Sequence, residues 1–169
     1  MNINLEYYYG TWFEIYSNIL VKNTFESFSK CIKAIYTSLE NDNIQVYNQQ
    51  FNYNNNKIQY ICGKASIPNK NENNHLEVTF PYYGSSPYWI YDVGPIINNQ
   101  YQYAIVSNPS QTNLFVLARN INEFMEKYND QVKIKLKELG FTKYYNKPIL
   151  TDQTNCVKYN DIDYRDKCN

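Results

Sequence analysis

A succession of eight short strand-like segments is the feature that most constrains the fold of this chain. The segments are rich in β-branched and aromatic residues, which favour the pleated, half-buried surface of a sheet. Asparagine-rich connections at 40–43 and 52–56 predict hairpins, so consecutive strands should pair antiparallel. The predicted strands are Thr11–Leu20, Cys31–Leu39, Ile44–Phe51, Lys57–Ile67, Leu76–Pro81, Tyr88–Val93, Tyr101–Asn108 and Asn113–Arg119. Eight such strands can close into an up-and-down β-barrel, which removes both sheet edges and encloses an interior.

After the last predicted strand, the apolar period changes from that of a strand to that of a helix. Steps of three and four predict an amphipathic helix that packs one face on the outside of the barrel. Its predicted apolar face comprises Ile121, Met125, Tyr128, Val132, Leu136 and Leu139. Asn120 with Glu123 resembles a capping box, and Gly140 follows where a helix ends. The expected fold is all-β with one C-terminal α-helix, in a single domain: barrel about 10–120, helix about 121–139, C-terminal strand and tail 140–169.

Composition and charge argue against several classes of function. Sixteen basic and sixteen acidic residues cancel, so no net charge draws the chain to nucleic acid. The longest apolar stretches, such as Leu114 to Ala118, have strand length and are too short to cross a bilayer. His75 is the single histidine and lies in a polar turn, which disfavours a Ser-His-Asp hydrolase. The excess of aromatic residues, with 19 Tyr, suits a sheet or a surface that grips a ligand.

Four cysteines, at 31, 62, 156 and 168, carry the second informative pattern. They lack the CxxC spacing of metal or redox motifs, so no metal site and no cofactor are expected. Three disulfide pairings are open from the sequence. Disulfides imply an oxidising compartment, yet the N-terminal residues lack the basic and apolar regions of a signal peptide. An extracellular protein without its leader, a virion, or a cytoplasmic protein with reduced cysteines all stay open; the first two are favoured.

Short motifs spread along the chain resemble those of the lipocalin family, nearest the branch of apolipoprotein D and the bacterial lipocalins. The first is a Gly-x-Trp motif where the first strand begins, and the others follow in the family's order. They are Gly10-Thr11-Trp12-Phe13-Glu14-Ile15, Phe25-Glu26, Val46-Tyr47-Asn48-Gln49, Gly63-Lys64-Ala65, Leu76-Glu77-Val78-Thr79-Phe80, Ser86-Pro87-Tyr88-Trp89-Ile90, Tyr103-Ala104-Ile105-Val106, Leu117-Ala118-Arg119-Asn120 and Thr151-Asp152-Gln153-Thr154-Asn155-Cys156. The resemblance covers Leu5 to about Cys156.

The resemblance implies how the barrel closes at its base and how the cysteines pair. Trp12 should plug the base, with the guanidinium of Arg119 stacked on its ring and Gly10 allowing the chain to turn into the strand. The family's common disulfide selects Cys31 with Cys156. A second bond, Cys62 with Cys168, is expected only by analogy.

The resemblance also implies a cavity that binds, stores or transports a small hydrophobic ligand. It puts Tyr36 and Phe115 inward, and the alternation of side chains along strands then adds Ala34, Ser38, Val46, Asn48 and Leu117. Trp89 is expected near the open mouth, where it gates the ligand or packs. A mostly apolar cavity with a few polar groups suits a fatty acid, a lysolipid or a sterol-like molecule. The predicted ligand-binding residues are Tyr36, Val46, Asn48, Trp89, Phe115 and Leu117.

An alternative function is a lipid-acting enzyme of the same fold. A few lipocalins are enzymes, and one branch carries a cysteine near the start of strand two, where Cys31 lies. Such catalysis needs a free thiol, so Cys31 cannot serve both as nucleophile and as disulfide partner. We expect a binding protein rather than an enzyme. We further expect a monomer that has no nucleic-acid partner and makes weak membrane contact at the open mouth.

Overall fold

The chain folds into a closed antiparallel barrel of eight strands, to which one short C-terminal strand is added. The computed structural model describes residues 1–162 and 165–168. The barrel strands are β1 (Gly10–Ser17), β2 (Ser29–Ser38), β3 (Ile44–Asn52), β4 (Lys57–Ser66), β5 (His75–Phe80), β6 (Gly84–Val93), β9 (Tyr103–Ser107) and β10 (Phe115–Ala118). Each pairs with its neighbour, and β1 pairs with β10 through Phe13 with Ala118 and Ser17 with Phe115. This last pairing closes the sheet and confirms the predicted barrel.

Shorter elements complete the chain. A hairpin of β7 (Ile96–Ile97) and β8 (Gln100–Tyr101) precedes β9, and β11 (Ile149–Leu150) pairs with the second half of β1. The helices are α1 (Ile19–Lys22), α2 (Ile121–Glu123), α3 (Asn129–Glu138) and α4 (Val157–Asn160), with 3-10 turns at Leu5–Tyr7, Lys70–Glu72 and Arg165–Cys168. Residues 163, 164 and 169 of the predicted tail lie outside the described residues. Within the described ranges, no helix is both long and apolar enough to span a membrane.

The connections divide between two ends of the barrel. We call the end formed by the loops 18–28, 53–56, 81–83 and 108–114 the mouth, and the opposite end, crossed by residues 1–9, the base. Asparagines supply left-handed turn residues, as in the hairpin where Asn98 and Asn99 have φ of 51° and 58°. The short hairpin turns therefore follow from local sequence.

Most predicted strand limits lie within two residues of the observed ones, and two differ by more. The first strand ends at Ser17 and not at Leu20, because the side chain of Asn18 accepts a hydrogen bond from the Val21 amide and starts α1. The sixth strand begins at Gly84 and not at Tyr88. Pairing with β5 extends through Pro87, opposite Glu77, to the end of the hairpin. The first limit is set by a helix cap and the second by pairing with a neighbouring strand. The hydrophobic pattern of the segment reveals neither contact.

The predicted helix exists, but its buried face differs from the prediction. Asn120 caps the Glu123 amide as expected, and Gly140 follows the helix with φ of 95°. Between α2 and α3, residues Phe124–Tyr128 form a π-helical turn. A π turn holds an extra residue and so rotates the face that meets the barrel. As a result Phe124 is buried, whereas Met125, which the prediction assigned to the apolar face, is 41% exposed.

The apolar side chains form two cores, one on each side of the sheet. Inward-facing residues of all the barrel strands fill the lumen, among them Trp12, Tyr36, Leu76, Ile90 and Val106. Outward-facing residues of β1, β9 and β10 pack against the helical segment through a second cluster. This second cluster includes Ile15, Ile105, Val116, Phe124, Val132 and Leu136. The helix therefore lies outside the barrel, and the lumen is lined by strands.

Candidate functional site: the barrel lumen

The base of the lumen is closed by Trp12 and Arg119. Trp12 is fully buried, and its indole nitrogen donates to the Tyr8 carbonyl at 2.8 Å. The guanidinium carbon of Arg119 lies 3.6 Å from the centroid of the Trp12 ring, in the geometry of a cation–π contact. Gly10 has φ of 104°, and a Cβ there would lie 3.2 Å from a guanidinium nitrogen of Arg119. The three residues expected to close the barrel thus meet at its base.

Arg119 is held at the base by backbone carbonyls and not by an acid. Its guanidinium donates to the carbonyls of Tyr7, Tyr8, Tyr9, Thr11 and Tyr101. Among the described residues no carboxylate forms an ion pair with it. Burial lowers the pKa of Arg119 to about 10, which still leaves it charged at neutral pH. The base of the lumen therefore carries a positive charge without a partner anion.

Five of the six predicted ligand-binding residues face the lumen. Tyr36, Val46 and Leu117 are buried in the lumen cluster, and Phe115 packs against it while half-exposed. Asn48 lies opposite the inward-facing Ala34 across the β2–β3 pair, which puts it on the same face. The alternation argument therefore gives a consistent set for β2, β3 and β10.

Trp89 is the exception, because it faces the outside of the barrel and does not line the lumen. Its ring stacks on that of His75 with centroids 3.8 Å apart, and these residues are paired across β5 and β6 on the outer face. The adjacent Tyr88 and Ile90 are the residues that join the lumen cluster. Strand alternation requires Trp89 to face away from them.

Sequence reasoning missed a cluster of three phenols in the lumen. The hydroxyl of Tyr88 lies 2.7 Å from that of Tyr8 and 2.8 Å from that of Tyr36. The ring of Tyr8 in turn packs on Trp12, with centroids 5.0 Å apart. Alternation from the apolar Ile90 would have marked Tyr88 as inward. Tyr8 precedes the first strand, so periodicity gave no signal for it.

A second polar group lies between β1, the 18–28 loop and the C-terminal segment. Glu14 is 1% exposed and accepts a hydrogen bond from the Thr151 hydroxyl at 2.5 Å. Glu26 accepts from Ser17, and the Lys22 amine lies 4.0 Å from Glu14 and 3.8 Å from Glu26. The pKa of Glu14 is raised well above its usual value, first by burial and then by the neighbouring Glu26. The group joins the 18–28 loop to the barrel wall.

Both disulfides join the C-terminal segment to the barrel. Cys31 of β2 is bonded to Cys156, and Cys62 of β4 is bonded to Cys168. The described residues include no free cysteine. Cys31 therefore has no thiol in this oxidised state, which removes the nucleophile that the enzymatic alternative needs.

Two cavities lie outside the lumen. One, of about 640 Å³, is bordered by Gln45, Lys64, Thr79 and the Cys62–Cys168 bond on the outer face. The other, of about 280 Å³, lies between Asp92, Tyr103 and the α3 residues that face them. Within the lumen, the rings of the base half contact one another, and the half-buried Phe80 and Phe115 lie against the core. The base half of the lumen is therefore filled by packed side chains.

The chain forms a closed eight-stranded barrel with an external helix, an indole at its base and an apolar inner face. These features define a lipocalin-type barrel. A lipocalin-like domain model matches residues 3–148. Apolipoprotein D of Macaca fascicularis is 31% identical over 94% of this chain and 81% of its own length. The outer membrane lipoprotein Blc of Vibrio cholerae is 28% identical over 70% of this chain and 66% of its own length. The chain belongs to the lipocalin family.

Solved structures show the same fold at lower identity. The cockroach allergen Per a 4 superposes with a TM-score of 0.63 at 20% identity, covering 94% of this chain and 93% of its own. The amine-binding protein of Rhodnius prolixus, solved with tryptamine, gives 0.60 at 13%, covering 99% and 94%. Japanin of Rhipicephalus appendiculatus, solved with cholesterol, gives 0.55 at 12%, covering 90% and 99%. At these identities the likeness establishes the fold alone.

Proposed function

We propose that this protein binds and carries one small hydrophobic molecule in the barrel lumen. The observation that carries the proposal is the inward face of the strands, which is apolar at Val46, Val106 and Leu117 and becomes half-exposed toward the mouth at Asn48 and Phe115. Such a surface suits a slender apolar molecule with one polar end. The guest classes are a fatty acid, a lysolipid or a sterol-like compound. Related barrels solved with cholesterol and with tryptamine support a carrier role for the fold.

The cysteine chemistry favours a carrier over an enzyme. The alternative function needs a reduced Cys31, and Cys31 is bonded to Cys156. Structural disulfides form and persist mainly where the surroundings are oxidising. We therefore propose that the protein works outside the cell or in another oxidising compartment, such as a virion.

The mouth supplies a candidate contact with membranes, where hydrophobic guests reside. Its loops expose large aromatic side chains, which suit the interface between water and lipid. They are Phe25, Phe28, Tyr53, Tyr82 and Tyr83. We propose weak membrane contact through this rim by a monomer. Co-sedimentation with phosphatidylcholine vesicles measures the contact, and it should fall when Tyr82 and Tyr83 are changed to Ser.

Titration with a fluorescent fatty acid tests the carrier function. We expect saturable binding at about one molecule per chain, as for a single enclosed site. Phe115→Ala and Tyr36→Ala should weaken binding by about tenfold, because each removes a large apolar contact surface. Trp89→Ala removes a large aromatic ring from the outer face and is the matched control, which should bind like the parent protein. An absence of saturable binding would remove the basis of the proposal.

A further inference from the structure

The phenols of Tyr8, Tyr36 and Tyr88, here called the tyrosine cluster, have more O–H donors than they form hydrogen bonds. Tyr8 and Tyr36 are 1% and 5% exposed. Each hydroxyl contacts that of Tyr88, and no other partner is found for the three hydroxyls in the described part of the chain. A phenol carries one proton and can accept through its oxygen. The cluster thus has three O–H donors and two hydrogen bonds.

The proton count gives the same result for every arrangement of the hydroxyl hydrogens. If Tyr8 and Tyr36 both donate to Tyr88, the proton of Tyr88 has no acceptor. If Tyr88 donates to one of them, that residue's own proton has none. One O–H of the cluster therefore has no acceptor among the described residues. Tyr8 and Tyr36 are buried and Tyr88 is half-buried, and a donor without a partner is costly to the extent that it is buried. An acceptor atom that enters the lumen would remove this cost.

The charges at the base of the lumen also favour a hydrogen-bond acceptor atom. Arg119 lies on the face of Trp12, and Tyr8 packs on that ring too. The positive charge of Arg119 has no partner carboxylate among residues 1–162 and 165–168. Burial raises the pKa of Tyr36 to about 12 and that of Tyr8 and Tyr88 well above 10, so all three remain donors at neutral pH. The charge of Arg119 acts on Tyr8 and Tyr36, and on Tyr36 it outweighs the opposing charge of Glu14. The site therefore favours a negative or dipolar oxygen over a cation.

We propose that the lumen binds its guest with the polar end inward, and that this end is a carbonyl or carboxylate oxygen accepting from the tyrosine cluster. The inference rests on the proposed carrier function and narrows its ligand class. It selects amphiphiles that end in a hydrogen-bond acceptor over those that end in an ammonium group. It also fixes the orientation, with the apolar chain directed toward Phe115 and the mouth.

Calorimetric titration with dodecanoic acid and dodecylamine tests the inference, because the two probes share a chain length and differ in the polar end. We expect the acid to bind at least about tenfold more tightly than the amine, as for hydrogen bonds to a charged acceptor. The triple variant Tyr8→Phe/Tyr36→Phe/Tyr88→Phe should lose about tenfold in affinity for the acid and keep its affinity for the amine. Tyr91→Phe, which removes an outer-face hydroxyl bonded to the Asn108 carbonyl, should bind both probes like the parent.

The orientation has its own readout. A 13C-labelled carboxyl of bound dodecanoic acid should be protected from line broadening by a soluble gadolinium complex, since the carboxyl lies at the buried end. If the triple variant does not fold, Tyr36→Phe/Tyr88→Phe replaces it and should also weaken acid binding. If both probes bind saturably, the inference alone is overturned by any one of three results. These are equal affinity for the acid and the amine, unchanged affinity in the variants, and a broadened carboxyl signal. No saturable binding of either probe overturns the carrier function itself.

Discussion

Two charged side chains lie inside the barrel wall without close ion pairs. Arg119 is stabilised by five backbone carbonyls and by the Trp12 ring. Glu14 has the Thr151 hydroxyl at 2.5 Å, but its cation, Lys22, is 4.0 Å away and shared with Glu26. A buried charge is tolerated when hydrogen bonds replace its hydration. Hydrogen bonds replace the hydration of Arg119 more fully than that of Glu14. We therefore expect the ionisation of Glu14 to affect the free energy of unfolding.

Glu14→Gln should reduce the dependence of stability on pH. Because the pKa of Glu14 is raised in the fold by burial and by Glu26, the folded state holds its proton more tightly than the unfolded chain does. This contribution to stability is therefore fully present below the pKa of the unfolded chain and is lost as the pH rises from there through the raised pKa of the fold. Glutamine stays neutral and still accepts from Thr151, so urea midpoints measured at about pH 5 and about pH 8 should differ less in the variant. Glu77→Gln on the exposed face of β5 is the charge-matched control. An unchanged difference in Glu14→Gln would contradict the assignment.

Among the secondary-structure elements, the presence of each barrel strand could be predicted from local sequence. The residues at which some strands begin and end could not. The family resemblance placed Tyr36 on the lumen side, and alternation then placed Val46 there; both lie well inside regular strands. Trp89 was expected near the mouth from its neighbours Pro87 and Tyr88, whereas alternation counted back from the inward-facing Ile90 puts it on the outer face. The pairing of Pro87 with Glu77 is a contact between strands, so no pattern within the segment reveals it. The third phenol, Tyr8, belongs to no strand and was found only from its contact with Tyr88.

The π turn in the helical segment gives a testable difference between two adjacent residues. Phe124 is 1% exposed and meets the ring of Tyr103 edge-on, whereas Met125 is 41% exposed. Phe124→Ala should lower the free energy of unfolding by about 3–5 kcal/mol, as for other large buried aromatics. Met125→Ala should change it by no more than about 0.5–1 kcal/mol. Urea unfolding of the two variants measures both values. A larger loss for Met125→Ala would indicate that the helix keeps the regular 3.6-residue phase predicted from the sequence.

At the scale of the whole molecule, the C-terminal segment is part of the barrel wall. β11 takes up pairing with β1 at Tyr16 and Ser17, beyond the residues of β1 that pair with β2. The Cys31 amide then donates to the Asp152 carbonyl, and the segment continues across the outer face of β2 and β3. There the Lys33 amine donates to the Asn160 and Ile162 carbonyls, and the Tyr159 ring stacks on Phe51 at 4.2 Å. The two disulfides hold opposite ends of this segment.

Removing each disulfide separately should distinguish the two ends of the segment. The bonds span 125 and 106 residues, so chain entropy alone gives each about 4–5 kcal/mol. Cys31→Ala/Cys156→Ala also opens a buried cluster where β11 enters the wall, whereas after Cys62→Ala/Cys168→Ala the Lys33 and Tyr159 contacts still hold the tail. We expect the thermal midpoint to fall by about 10 °C or more in the first variant and by less in the second. Thiol counting of the parent protein under denaturing conditions without reductant should find none. Equal falls in the thermal midpoint of the two variants would mean that the noncovalent contacts of the segment add no stability beyond that of the disulfides. A free Cys31 in the thiol count would make the thiol-dependent enzyme a candidate function again.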